Sequence, residues 1–324
     1  MWESILSILE KKAKEGLDVR VIYDDMGSFF TLPGTYTEKM EERGIKCLSF
    51  NRVHPVLNTL MNRRDHRKIM VIDGKVAFSG GINIADEYIN VRKRFGQWKD
   101  NIIRISGDAV WSMTVMFLTH WNALRKEDSD FWKFRASTDE PAGKGYIAPY
   151  SDTPLDDDRA SQDIYEGIMN QAQKYCWIFT PYLIIDNELM NTLTFTAKRG
   201  VDVRIITPGI PDKKLVWRIT RSYYLPLVEA GVRVFEYEPG FLHSKVMVSD
   251  DKAATVGTVN LDYRSMYFQF ENGIYLYRCA AVKDIRKDFE ESMEKSRELT
   301  KDDCTPGFAE DILISVLRLF APLL

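Results

Sequence analysis

The chain has 324 residues, of which 45% are hydrophobic, 28% charged and 12% aromatic; this excludes a disordered or fibrous protein and gives length for about two domains. The 44 Lys and Arg against 47 Asp and Glu leave a net charge of −3, which excludes a polycation that coats nucleic acid by charge alone, so any polyanion has to be gripped locally. In chain order, Trp2, Ile5, Leu6, Leu9 and Ala13 form a helical stripe, and residues 19–23 and 45–50 read as short apolar strands. Residues 66–76 read as a β-hairpin whose Asp73-Gly74 turn supplies the positive φ angles such a turn needs. Gly80, Gly81 and Asn83 follow, and Asp100 lies in a probable next strand.

Residues 127–159, with Asp156-Asp157-Asp158, Pro141, Pro149 and Pro154 and little periodicity, read as a linker. It divides the chain into domains at 1–145 and 146–324. The second domain adds a strand-like run at 177–185 for which the first has no counterpart. Residues 198–206 then echo residues 14–22, each segment ending a helix at Gly and starting a strand. His243, Lys245, Asp250, Gly257, Thr258 and Asn260 each stand 177 residues after His66, Lys68, Asp73, Gly80, Gly81 and Asn83. A constant offset over so mixed a set means two copies of one unit. The expected fold is therefore α/β, two pseudo-symmetric domains, each a mixed β-sheet flanked by helices.

Strand alternation puts His66 beside Lys68 and His243 beside Lys245, whereas Asp73 and Asp250 have the opposite parity and are expected at turns or behind the site. A neutral imidazole can attack phosphorus or move a proton, and an adjacent ammonium binds a non-bridging oxygen. Two such pairs meeting across a pseudo-twofold axis supply the nucleophile and the acid of a two-step displacement. The amides of Asn83 and Asn260 are placed to donate to the same phosphate, although capping of a following helix is the alternative for both. No metal and no cofactor is implied, because two Lys and two Asn can stabilise the charge that a metal stabilises elsewhere. Each imidazole also needs a carboxylate on its far nitrogen. Asp100, 34 residues beyond His66, and Glu271, 28 beyond His243, stand at matching places.

The doubled HxKxxxxD pattern, each followed by a Gly-Gly/Thr-x-Asn segment, resembles the phospholipase D superfamily over nearly the whole chain. Residues 62–68, 80–88, 222–224, 237–245 and 318–324 resemble the bacterial cardiolipin synthases more narrowly. The resemblance implies joining of two phosphatidylglycerols into cardiolipin with release of glycerol, through a phosphatidyl-histidine. His66 and His243 would then be nucleophile and general acid/base, and Lys68, Lys245, Asn83 and Asn260 would bind phosphate. The superfamily motif also includes the positions of Asp73 and Asp250. Family members usually open with two membrane-spanning helices and a further strand, neither of which is found here. Gln269 and Met266 stand where the second motif more often has Asn and Phe.

Several features fall outside the motif. Arg218 and Arg221, with Lys213 and Lys214 and interleaved with Trp217, Tyr223 and Tyr224, are either contacts for anionic headgroups or a solvated amphipathic helix. Arg92-Lys93-Arg94 poses the same choice. At the C-terminus, Asp311, Ser315 and Arg318 leave an apolar face of Ile312, Leu313, Val316, Leu317, Leu319 and Phe320; packing on the protein's own body is expected, an interfacial helix being the alternative. His54 and His120 have no partner copy and read as loop and core residues. The four cysteines lack CxxC spacing and read as ordinary thiols. No secretory signal or apolar run of membrane-spanning length occurs, so a peripheral position at the cell membrane is expected, with a phosphatidylglycerol substrate and no nucleic-acid partner. Two rival functions remain: a phosphodiesterase or nuclease of the same superfamily, and an idle membrane-associated derivative of a synthase.

Overall fold

The computed structural model describes residues 1–52, 62–137 and 143–319. His54 and residues 320–324 therefore lie outside the described residues. In half one, α1 (Trp2–Lys14) leads to β1 (Arg20–Asp24), α2 (Asp25–Ser28), α3 (Tyr36–Glu42) and β2 (Lys46–Phe50). Then come β3 (Arg64–Asp65), the hairpin β4 (Ile69–Ile72) and β5 (Val76–Gly80), β6 (Ile102–Ser106) and α4 (Ala109–Arg125). Half two runs β7 (Tyr146–Asp152), α5 (Ala160–Gln171), β8 (Tyr175–Phe179), β9 (Leu183–Ile184), α6 (Asn187–Lys198) and β10 (Asp202–Pro208). It continues through α7 (Lys214–Ser222), α8 (Tyr224–Glu229), β11 (Arg233–Tyr237), β12 (Val246–Ser249) and β13 (Ala253–Gly257). The chain ends with β14 (Leu261–Asp262), β15 (Gln269–Tyr277), α9 (Ala281–Met293), β16 (Ser296–Glu298), α10 (Lys301–Cys304) and α11 (Phe308–Arg318).

The sheet of half two is continuous and mixed, in the order β16-β11-β10-β8-β12-β13-β15. The expected run at 177–185 is two strands, broken at Thr180–Tyr182, where the Thr180 hydroxyl donates to the Tyr182 carbonyl. β8 is the central strand, parallel to β10 and antiparallel to β12. Half one has the same order with that place unfilled among the described residues: β1 pairs with β2, and β4, β5 and β6 form a separate antiparallel sheet.

The linker expected at 127–159 is not a plain linker. It contains β7, whose seven residues pair antiparallel with β15 from Asp152 opposite Glu271 to Tyr146 opposite Tyr277. Its prolines mislead because a strand with one partnered edge tolerates Pro149. The preceding end of β15 turns to half one, pairing in parallel with β3 through Gln269 opposite Arg64 and Phe270 opposite Asp65. The halves also share a core. Ala77, Ile105, Val110 and Met113 from β5, β6 and α4 pack in one buried cluster with Phe179, Val246, Val256 and Ile274 of half two.

At the C-terminus the expected packing is partial. Ile314 is buried and Leu317 is packed against the core, but Ile312, Leu313, Val316 and Leu319 stay exposed. No helix among the described residues is long and apolar enough to cross a membrane.

Candidate active site

Each motif histidine follows the same plan, and each plan crosses the halves. The His66 N–H donates to the Phe270 carbonyl at 2.9 Å, and its Nδ1 meets the carboxylate of the next residue, Glu271, at 2.9 and 3.0 Å. The His243 N–H donates to the Lys99 carbonyl at 2.7 Å, and its Nδ1 meets the carboxylate of the next residue, Asp100, at 2.7 Å. The two carboxylates are thus where the spacing predicts them, but each serves the histidine of the opposite copy rather than the one it follows in sequence. An ionised carboxylate only accepts, so Nδ1 carries the proton and Nε2 is left with its lone pair.

The lysines complete a closed cluster. Two residues on from its histidine, and so on the same side of the chain, Lys68 Nζ donates to the His66 carbonyl at 2.6 Å and Lys245 Nζ to the His243 carbonyl at 2.5 Å. Burial pushes the ammonium of Lys68 down to about 8 and that of Lys245 to about 7, with the Glu271 and Asp100 charges opposing. Burial, then the Lys245 charge, pushes the imidazole of His243 down to about 3. That of His66 is lowered by burial, with Glu271 opposing and Lys68 adding. Each imidazole also feels the other copy's lysine, Lys245 at His66 and Lys68 at His243. Burial acts to raise the Asp100 carboxyl, but its pairing with His243, then the Lys245 charge and the Asn101 N–H, outweigh it and hold it below the ordinary value.

The acids are seated differently. Glu271 is fully buried, and the Thr258 hydroxyl donates to its Oε2. At the matching position half one has Gly81, where a Cβ would lie 2.1 Å from Asp100 Oδ1. The absence of a side chain there is what lets the shorter Asp100 occupy the space that a threonine takes in half two.

A family model described as cardiolipin synthase, PLD-like domain, matches residues 2–111 and 165–293. The chain belongs to this family. It is 47% identical, over its whole length, to an uncharacterized protein of Streptococcus mutans, spanning 70% of that protein. It is 37% identical over 99% of its length to cardiolipin synthase 2 of Bacillus cereus, of which it spans 63%. In fold it is similar to the crystal structure of a phosphatidylserine synthase from Haemophilus influenzae, with a TM-score of 0.73 at 15% identity, covering 99% of this chain and 84% of that one.

Set in this phospholipase D-like frame, the remaining predicted residues divide. Asn83 Nδ2 donates to the Tyr88 hydroxyl at 2.5 Å. Asn260 Oδ1 is buried without a hydrogen-bond partner, an acceptor that a ligand hydroxyl would satisfy, leaving Nδ2 as the donor for a phosphate oxygen. Neither amide caps a helix; Asn83 leads into a loop and Asn260 into β14. Asp73 and Asp250 sit at the far ends of their hairpins with φ of 53° and 54°, and the Asp250 carboxylate accepts from the N–H groups of Gln173, Lys174 and Tyr175. They shape turns, as their parity predicts, and hold no imidazole.

Of the predicted headgroup contacts, Arg218 is exposed, but the others are engaged inside half two. Arg221 Nη1 donates to Glu236 at 2.8 Å and Nη2 to the Asp303 carbonyl at 3.0 Å. Tyr224 is fully buried against Thr207, and Tyr223 is buried beneath Arg318. Helical spacing shows that these side chains share a stripe but not that the stripe faces inward. His120 is a core residue, as expected, and its Nε2 lies 3.1 Å from the Asp65 carboxylate. The sequence reading missed the aromatic wall of the site. The rings of Tyr88, Trp98 and Phe241 lie 5.1, 5.6 and 5.8 Å from that of His243. No duplication marks Tyr88 or Trp98, so the repeat that exposed the histidines could not expose them.

Proposed function

We propose that the chain is a phosphatidyltransferase of the cardiolipin synthase type, acting on phosphatidylglycerol at a membrane surface through the two halves 1–145 and 146–324. The observation that carries this reading is the reciprocal pairing of His66 with Glu271 and His243 with Asp100 in a cluster that also holds Lys68 and Lys245. In the first step one Nε2 attacks the phosphorus of a phosphatidylglycerol, the P–O bond to the departing glycerol breaks, and the other imidazole, protonated, gives that oxygen its proton. In the second step a hydroxyl of another phosphatidylglycerol attacks the phosphorus, the second imidazole takes its proton, the N–P bond breaks, and cardiolipin leaves. The two ammonium groups and the amides of Asn83 and Asn260 hold the non-bridging oxygens. Burial and the lysine charges keep the imidazoles neutral in the empty site, as attack demands. The entering phosphodiester anion offsets those charges and so favours protonation of the partner.

The test is to give the purified chain phosphatidylglycerol vesicles without added metal and to measure glycerol and cardiolipin. Release of both in equal amounts is expected. Phosphatidic acid as the sole lipid product would make the chain a hydrolase, and cleavage of DNA without lipid turnover would make it a nuclease. Vesicle binding with no turnover would make it idle.

A further inference from the structure

The copies differ in length at one place. Asn83 and Asp100 are 17 residues apart, whereas Asn260 and Glu271 are 11 apart, so half one has a longer loop between its amide and its acid. The inner side chains of this loop, Tyr88 and Trp98, wall the site beside His243. The outer ones face solvent: Ile84, Ile89 and Val91, the last 72% exposed, are followed at once by exposed Arg92, Lys93 and Arg94. Ile84 and Ile89 are 48% and 44% exposed, so one short loop leaves apolar area of three aliphatic side chains in water, area that gains free energy when another phase covers it.

The end of the loop is fixed to half two. Gly96 bridges Gly240, and the Gln97 N–H donates to the Pro239 carbonyl at 2.8 Å. Gly96 has φ +72°, and a Cβ there would lie 2.4 Å from the Pro239 carbonyl oxygen and 3.1 Å from Ile210 Cδ1. Beyond Ile210, itself exposed, the chain repeats the composition of the loop with exposed Lys213, Lys214 and Leu215. Two adjoining segments, one from each half, thus present aliphatic side chains beside consecutive bases at the His243 side of the site. That mixture fits an anionic bilayer, whose acyl boundary takes the aliphatics while its phosphates meet the bases.

We propose that the loop 84–94 and the segment 210–215 form the face by which this chain lies on an anionic phospholipid bilayer, bringing headgroup phosphates to the His243 side of the site. The proposal rests on the phospholipid reading above. It is tested by flotation with vesicles of phosphatidylglycerol and phosphatidylcholine, alongside turnover of detergent-dispersed phosphatidylglycerol. The full chain is compared with Ile89→Ser/Val91→Ser and with Arg92→Ser/Lys93→Ser/Arg94→Ser, all exposed substitutions. Each variant is expected to bind vesicles at least ~10-fold more weakly, the second losing most of the salt dependence, with turnover of dispersed substrate within about twofold of the parent. Undiminished vesicle binding by both variants, or no vesicle binding by the parent chain at low salt, overturns the docking face even if dispersed lipid is turned over. Binding of duplex DNA by these bases without vesicle affinity overturns it too. Loss of vesicle binding in the variants, with no turnover of any lipid by the parent, leaves the face standing and removes the transferase reading.

Discussion

In half two β8 lies between β10 and β12, and all four residues of β12 are buried. In half one no described strand lies between β1 and β4, and β4 alternates between half-buried and exposed residues. One motif is thus carried on a complete sheet and on a divided one, yet the two histidines make the same contacts to backbone and acid. What the two halves have in common is the site itself, whose contacts are the same on both sheets. It is built where the halves meet, by β3 on β15, by the Lys99 carbonyl on His243, and by the Asn272 amide donating to the Ser79 hydroxyl at 2.8 Å.

If both halves contribute one functional imidazole each, His66→Ala and His243→Ala should each lower turnover by about 10⁴-fold or more while the far-ultraviolet circular dichroism stays unchanged. Turnover within tenfold of the parent in either variant would break the paired mechanism. The halves should still differ in role. The His243 side chain is 8% exposed and pushed down to about 3, whereas that of His66 is 22% exposed. The deeper, more firmly neutral ring suits attack, and the more open one suits proton exchange. Labelled lipid quenched during turnover should therefore leave phosphorus on His243; label on His66 would reverse the assignment.

The unequal seating of the acids gives a smaller, directional test. Gly81→Ala puts a methyl group into the Asp100 carboxylate and should lower kcat by about 10²-fold through loss of the His243 orientation. Thr258→Ala removes one donor from a carboxylate that keeps its imidazole, and an effect of about tenfold is expected. Equal losses in the two variants would mean that the acids are held alike after all. The lysines provide a third. With ammonium groups lowered to about 8 and about 7, phosphate binding requires protonation that is lost as pH rises through those values. The ratio kcat/KM should then fall about tenfold per pH unit between pH 7 and 8 and, with both protons required, about a hundredfold per unit above pH 8, and a flat profile to pH 10 would show that the ammonium groups are not what binds phosphate.

The repeat made the histidines, the lysines and the amides legible in sequence, because a constant offset of 177 survives any fold; the acids, 171 apart, were legible only from their matching places after each amide. What the offset could not show is which copy serves which: that Glu271 reaches His66 follows from a twofold arrangement in space, and the local order of residues points to Asp100 instead. Parity was sufficient for Asp73 and Asp250, since alternation is a local rule. It was silent on Arg221 and Tyr224, whose inward direction is decided by Glu236, Asp303 and Thr207 on other elements. Tyr88 and Trp98 are unmarked in sequence because only one half has the loop that carries them.

The smallest effect tests the scaffold rather than the chemistry. Met70 on β4 and Met247 on β12 are the same residue at equivalent positions, 177 apart. Met247 is fully buried, with Ile178 of β8 opposite it, while Met70 is 42% exposed. Met247→Ala should therefore cost about 2–5 kcal/mol in denaturant unfolding, and Met70→Ala less than about 0.5 kcal/mol. The two side chains have identical volume and lie on matching strands, so their surroundings distinguish them: β8 beside Met247, and the buried cluster it shares with Tyr165, Ile168 and Met169 of α5. A comparable loss for Met70→Ala would mean that β4 is covered in solution as β12 is, and the contrast between a complete and a divided sheet would no longer hold.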